Sequence, residues 1–212
     1  MGLNLKAESN DFEQLSSGES LGVCYRIVDL GTREEQYKDN PPKKRTLIHV
    51  TWETKDNLMS DGRPFAIGRS YTASLNENAT FYKDLVTWRG KPFSEEELKG
   101  FDVSKMLGAP ANLHIEHNEE GKARIKNIFK PDNFKKTETS NESFVFDLDV
   151  YCNEFNGNTS DETKAMCDIF EQLPEWQQNL IQDSYEYLAA SDSTKPVVED
   201  VVDPDFDDDI PF

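Results

Sequence analysis

Alternation of apolar and polar residues is the feature that most constrains this fold, because a period of two is typical of strands buried on one face. This alternation occurs in the first half of the chain, which has few helical patterns, and it returns after residue 110. Asp61-Gly62 and Glu120-Gly121 supply turns, so we predict two hairpins separated by a helical segment. The predicted strands are 21–30, 46–54, 65–73, 113–117, 124–129 and 144–150.

Helical patterns interrupt and then follow the strands. A rough apolar stripe between Glu77 and Gly90 predicts a helix after the third strand. Ser94-Glu95-Glu96-Glu97 is a capping box, which predicts a short helix. A second capping box at 159–162 predicts a further helix. Pro174 predicts the start of another, in which Trp176, Leu180, Ser184 and Leu188 share a face.

This order of elements predicts a mainly β fold with added helices. About five strands, with a helical segment between the third and fourth, fit an OB-fold-like five-stranded Greek-key barrel, and a two-layer α+β sheet is the competing topology. We expect an N-terminal lead-in at 1–18 and a barrel domain with helical insertions at 19–190. Composition predicts a disordered acidic tail at 191–212.

Charge is distributed unevenly along the chain. The formal net charge is −18, yet residues 26–91 hold twelve bases against nine acids, and residues 122–136 hold six against one. From Asp192 onward there are eight acids and one base. Because salt screens charges beyond about 10 Å, a basic groove can persist on an acidic protein.

Cysteine usage and the N-terminus point to a reducing compartment. The three cysteines are Cys24, Cys152 and Cys167, and their wide spacing predicts buried thiols rather than disulfides or a metal site. The first residues lack the apolar run of a signal peptide, and no segment approaches membrane-spanning length. We therefore expect a cytoplasmic protein without membrane contact.

The last eight residues combine a dense anionic run with an apolar tip. A ring and a terminal carboxylate suit an apolar pocket rimmed by Arg or Lys, so we predict that this peptide binds a partner protein. It resembles the C-terminal tip of bacterial single-stranded DNA-binding proteins, which dock replication and repair enzymes in this way. The residues are Asp205, Phe206, Asp207, Asp208, Asp209, Ile210, Pro211 and Phe212.

The body of the chain resembles a different group. The stretches 68–72, 91–94, 100–102 and 106–110 are similar to a family of bacteriophage-encoded single-stranded DNA-binding proteins, and the resemblance covers about residues 20 to 190. It implies an oligonucleotide-binding barrel that acts in phage DNA replication, recombination or repair, in the cytoplasm of an infected bacterium. The tail would recruit host or phage replication proteins, and self-association on DNA is left open.

Sequence-tolerant binding of a single strand needs cations for the phosphates and exposed rings for the bases. Arg69 and Tyr71 are two residues apart and should share a face, which makes them the best candidate pair for stacking on a base. The same spacing is equally compatible with a Tyr71 that lies at the rim of the core. Parity places Trp52 in the core with Ile48 and Val50, and His49 on the opposite face. The candidate residues for single-stranded DNA are Lys43, Lys44, Arg45, His49, Arg63, Phe65, Arg69, Tyr71, Arg89, Lys91, Lys122, Arg124 and Lys126.

Catalytic patterns are weak, so we expect no enzyme, no cofactor and no metal. His114 and His117 should face opposite sides of a strand, and Asp147 and Asp149 read as the solvent face of another strand rather than as magnesium ligands. A metal-dependent nuclease and an acidic DNA mimic or adaptor, which would engage host replication proteins without binding DNA, are the rival functions.

Overall fold

The computed structural model describes residues 13–36, 41–133 and 135–192. Strands dominate its first part and helices its last. The strands are β1 (Gly18–Glu35), β2 (Lys43–Leu58), β3 (Pro64–Thr72), β4 (Pro110–His117), β5 (Ala123–Phe129) and β6 (Phe144–Phe146). The α-helices are α1 (Thr80–Arg89), α2 (Glu95–Leu98), α3 (Leu148–Cys152), α4 (Asp161–Gln172), α5 (Glu175–Gln182) and α6 (Tyr185–Ser191), and short 3₁₀ turns lie at Val103–Met106 and Asn153–Asn156.

Five strands form one antiparallel sheet in the order β3-β2-β1-β4-β5, and β6 adds a short parallel pairing to β1. The long β1 is central: it pairs with β2 along most of its length, with β4 at 18–23 and with β6 at 26–28. A register shift between Cys24 and Arg26 separates the last two pairings. The mainly β fold with added helices is therefore confirmed.

The two outer strands of this order approach each other. Arg69 Nη1 on β3 donates a hydrogen bond to the backbone oxygen of Lys126 on β5, at 3.2 Å. Helix α1, which follows β3 in the chain, contacts both strands. The sheet is thus curled enough to bring its two ends together, and α1 lies across them.

The main core fills the concave side of the sheet. Ile48, Val50 and Trp52 point into it from β2, which confirms the parity that the sequence predicts. From α1, Trp88 is buried there too, and its indole nitrogen donates to the carbonyl of Pro110 at 2.6 Å. Gly90 ends α1 in the left-handed conformation, as expected for a C-terminal glycine.

A second core lies on the other side of the β1–β2 hairpin. Val28, Leu30 and Leu47 point away from the main core and are covered by α3–α6, whose largest contributions include Leu148 and Ile181. We call α3–α6, residues 148–191, the helical unit. Both faces of the central part of this hairpin are therefore buried. Backbone pairing extends β1 and β2 beyond the predicted 21–30 and 46–54, as far as the pairing of Glu35 with Lys43.

Two local expectations are wrong. The predicted strand at 144–150 ends at Phe146, because the Asp147 side chain accepts a hydrogen bond from the Val150 backbone at 3.1 Å and starts α3. The helix at Pro174 does not continue to Leu188. It stops at Gln182, and Ser184 caps α6 through the backbone nitrogen of Tyr187.

Several other expectations concern the chain ends and the thiols. Cys24 and Cys152 are buried as predicted, and Cys167 is half-buried. Most of the predicted lead-in at 1–18 and nearly all of the tail at 191–212 lie outside the described residues. Within the described ranges, no helix combines the length and the apolar character needed to cross a membrane.

Candidate nucleic-acid interface

Small and polar residues line the side of β2 and β3 that faces away from the main core. Those on β2 are buried, and those on β3 are partly or fully exposed. Thr51 pairs with Gly68 and His49 pairs with Ser70 across the two strands, and Ala66 follows on β3. These residues point outward because their neighbours Val50, Trp52, Ile67 and Tyr71 fill the main core. We call His49, Thr51, Ala66, Gly68 and Ser70 the β2–β3 outer face.

The side chain of His49 is held in place within the β2–β3 outer face. Its Nδ1 shares a 2.9 Å hydrogen bond with the Ser70 hydroxyl. The ring extends over Gly68, where a Cβ atom would stand 2.1 Å from the His49 Nε2. Burial, assisted by the charge of Arg26, lowers the pKa of His49 to about 4. The imidazole is therefore neutral at pH 7, and it is buried on the side of β2 that the sequence predicts for the groove.

Trp176 of the helical unit contacts the β2–β3 outer face at His49. Its ring meets the His49 ring edge to face, with 5.0 Å between the centroids, and 46% of the residue is exposed. Arg26 on β1 lies near by: its Nε is 3.5 Å from the Thr51 hydroxyl. Sequence reasoning missed both residues, because the contact joins elements that are far apart in the chain.

One end of the β2–β3 outer face is closed by the segment that leads to β6. Glu53 is fully buried there and accepts hydrogen bonds from the backbone nitrogens of Ser140 and Asn141, at 2.7 and 2.9 Å. Lys55 adds an ion pair at 2.7 Å. Burial alone would raise the pKa of Glu53, but these donors outweigh it and hold the pKa below its usual value. Glu53 is thus a structural anchor.

Exposed cations border the face on β5. Arg124 and Lys126 are exposed on the strand that adjoins β3. Lys126 pairs with Glu116 at 2.6 Å, and Lys122 pairs with Glu120 in the β4–β5 turn at 2.8 Å. Such exposed pairs contribute little to stability, so a phosphate can replace the carboxylate at small cost.

The predicted basic cluster at 43–45 lies at the start of β2, where Lys43 and Lys44 are exposed. Lys44 stands opposite Glu34 of β1, and its ammonium is 4.7 Å from the centroid of the Tyr185 ring. The glutamates opposite on β1 reduce the positive field that the sequence suggests at this end of β2.

The predicted stacking pair faces inward. Arg69 and Tyr71 do share a side, with the guanidinium 5.3 Å from the ring centroid. Both bind one carboxylate oxygen of Asp84 on α1, at 3.1 and 2.9 Å. Tyr71 is buried, so the expectation of an exposed stacking ring is wrong. The trio joins β3, β5 and α1, and burial raises the pKa of Asp84.

The remaining predicted residues are spread over other surfaces. Arg89 forms an ion pair with Glu97 and lies over the Phe93 ring, 4.1 Å from its centroid, so it holds α2 against α1. Arg63 pairs with Asp61 in the β2–β3 turn at 2.7 Å. Phe65 is half-buried against the main core, and Lys91 is exposed beyond α1.

The groups considered for catalysis have structural partners. Asp147 caps α3 rather than lining a strand. His117 Nε2 is 2.8 Å from the backbone oxygen of Leu15, and His114 contacts Glu116 at 3.5 Å. In residues 13–36, 41–133 and 135–192, no group of three His, Cys, Asp or Glu side chains is arranged to hold a metal ion.

The predicted partner-binding residues 205–212 lie outside the described residues. No protein-family model matches the chain, and no curated protein matches it.

Proposed function

We propose that this protein binds single-stranded DNA without strong sequence preference, on an OB-fold-like barrel. The order β3-β2-β1-β4-β5, the contact between β3 and β5, and a helix between β3 and β4 support the barrel. In that fold, oligonucleotides bind on the face of the second and third strands and on the loops beside it. The equivalent surface here is the β2–β3 outer face.

One observation carries the proposal: the β2–β3 outer face is uncharged, and exposed cations lie beside it on β5. Ala66, Gly68 and Ser70 leave room for bases and sugars above β3. Arg124 and Lys126 lie beside it on β5, where phosphates can exchange with weakly held carboxylates. Backbone contacts of this kind carry little sequence information, so the binding is sequence-tolerant.

The resemblance to phage-encoded single-stranded DNA-binding proteins suggests the setting. In the proposed role, the protein protects single strands during phage DNA replication, recombination or repair in the host cytoplasm. The acidic tip at 205–212 recruits replication proteins by placing Phe212 in an apolar pocket. No catalytic step is required for any part of this role.

An acidic DNA mimic or adaptor is the second candidate. The net charge of −18 favours it, and so do the carboxylates that already pair with Arg63, Arg69 and Arg89. A mimic would engage replication proteins through its negative surface and would not bind an oligonucleotide.

Fluorescence anisotropy of a labelled oligo-dT, titrated with the full-length protein at two salt concentrations, separates the candidates. We expect saturable binding whose logarithmic salt slope is about −0.7 per phosphate contacted, or about −3.5 for five contacts. The double variant Arg124→Glu/Lys126→Glu should weaken binding at least tenfold. Lys164→Glu, on an exposed residue of α4, is the matched control and should bind as the wild type does. An unchanged anisotropy at low salt would refute the proposal.

A further inference from the structure

We infer that Trp176 is the residue on which a base of the bound strand stacks, so that the helical unit forms part of the DNA site. This inference rests on the proposed function and adds its main base contact. Single-strand binding needs an aromatic platform beside a cationic track. Tyr71 faces inward, so the stacking pair that the sequence predicts does not supply this platform.

The exposure of Trp176 sets it apart from the other two tryptophans. Trp52 and Trp88 are 1% and 3% exposed, whereas 46% of Trp176 is exposed. A helix that needed only to cover the second core would gain by burying so large an apolar ring. On α5 that packing is done by Ile181, which is fully buried, and not by Trp176.

The position of Trp176 is set by the start of α5 rather than by its own burial. Pro174 provides the first turn, and the side chain of Gln178 donates to the carbonyls of Phe170 and Leu173, at 2.9 and 3.0 Å. Gln177, next in sequence, is fully buried. Since neighbouring helical residues point about 100° apart, α5 packs through 177 and 181 while 176 projects towards β2.

The contact with His49 positions the indole without covering it. An edge-to-face contact occupies at most one face of an indole, and the second face stays open for a base. His49 is held by Ser70 and is uncharged at pH 7, so it acts as a rigid neutral support. The ring rises beside the small residues of the β2–β3 outer face, which leave space for a base to lie against it.

Arg26 supplies the cation beside this platform. Its Nε is 3.5 Å from the hydroxyl of Thr51, which is two residues from His49 on β2, and Arg26 is half-buried, so its guanidinium is held near the β2–β3 outer face. A nucleotide whose base lies on Trp176 can place its phosphate at Arg26. The aromatic ring and the cation that single-strand binding requires therefore contact the same nucleotide.

Intrinsic fluorescence tests this assignment because only one of the three tryptophans is exposed. Oligo-dT should quench the emission of the wild type. In full-length Trp176→Phe, the emission of Trp52 and Trp88 should remain and the quenching should disappear. If Trp176→Phe is still quenched to the wild-type extent, the inference is wrong.

Anisotropy measured in parallel separates the inference from the proposed function. Trp176→Ala should bind oligo-dT about 5- to 150-fold more weakly, and Trp176→Phe should recover part of the loss. Phe129→Ala removes another exposed ring, on β5, and should bind within twofold of the wild type. Wild-type binding that survives in Trp176→Ala overturns the inference alone. A wild type that fails to bind removes the proposed function.

Discussion

At the scale of single residues, Gly68 controls the shape of the β2–β3 outer face. The His49 ring lies over its Cα, and the ring cannot move aside without losing the hydrogen bond from Nδ1 to Ser70 and the contact with Trp176. A glycine is required here for lack of space, not for an unusual backbone conformation. The same crowding holds the imidazole in the place where it supports the indole.

Gly68→Ala should therefore destabilise the protein by about 1–3 kcal/mol, because the added methyl group overlaps the His49 ring. The midpoint of thermal unfolding measures this loss. Gly100→Ala is the matched control: a Cβ there meets nothing within 4 Å, so the midpoint should stay the same or rise slightly. Equal midpoints for Gly68→Ala and the wild type would show that the ring moves freely.

At the scale of secondary-structure elements, strand parity was the reliable signal. Ile48, Val50 and Trp52 alternate in sequence, and all three are in the main core. The alternation of Phe144, Phe146 and Leu148 was misleading, because Leu148 is also apolar when it starts a helix on the second core. Asp147 decided the outcome by capping that helix. An aspartate can cap a helix or lie on the solvent side of a strand, so periodicity alone does not distinguish the two roles.

The site depends on contacts that periodicity does not report. Arg69 and Tyr71 share a side as predicted, but this is the side of the main core, where Asp84 of α1 binds both. His49 on β2 and Trp176 on α5 are far apart in the chain and meet only because the helical unit lies against the β1–β2 hairpin. Residue type and spacing therefore predict the strands of the proposed site, whereas its side chains follow from tertiary contacts.

Asp29 lies where β1 contacts the helical unit, and its ionisation makes the stability of the fold depend on pH. Burial raises its pKa from 3.8 to about 7, with Glu186, Asp149 and Asp147 adding negative charge, although the side chain accepts a hydrogen bond from the Gly31 backbone. The folded-state pKa lies above that of the unfolded chain. The protonated carboxyl thus stabilises the fold at low pH, and this contribution is lost as the pH rises from about 4 to 7.

Asp29→Asn should raise the free energy of unfolding by about 1–3 kcal/mol at pH 8 and change it much less at pH 5, because it removes a buried charge only where that charge exists. Urea denaturation at the two pH values measures the difference. Asp161→Asn neutralises a fully exposed carboxylate in the first turn of α4 and should show no such pH dependence. The same effect of Asp29→Asn at both pH values would contradict the assignment.

At the scale of the whole molecule, an acidic C-terminal stretch is attached to a body that is also acidic but whose proposed DNA site has cationic borders. Residues 193–212 contain seven acids and one base. An anionic peptide that is covalently attached to a DNA-binding surface competes with phosphates at a high effective concentration. Binding of DNA and binding of the tail to the same surface then exclude each other, so DNA should release the tip for partner proteins.

Removal of residues 193–212 should consequently tighten the binding of oligo-dT, and the gain should be greater at low salt than at high salt because the competition is electrostatic. Anisotropy titrations of the truncated and full-length proteins measure it. Removal of residues 210–212 alone is the matched control, since it deletes the apolar tip and keeps every aspartate of the tail. That variant should bind DNA as the full-length protein does. Weaker DNA binding after the longer truncation would mean that the tail assists the DNA site, and the competition would have to be abandoned.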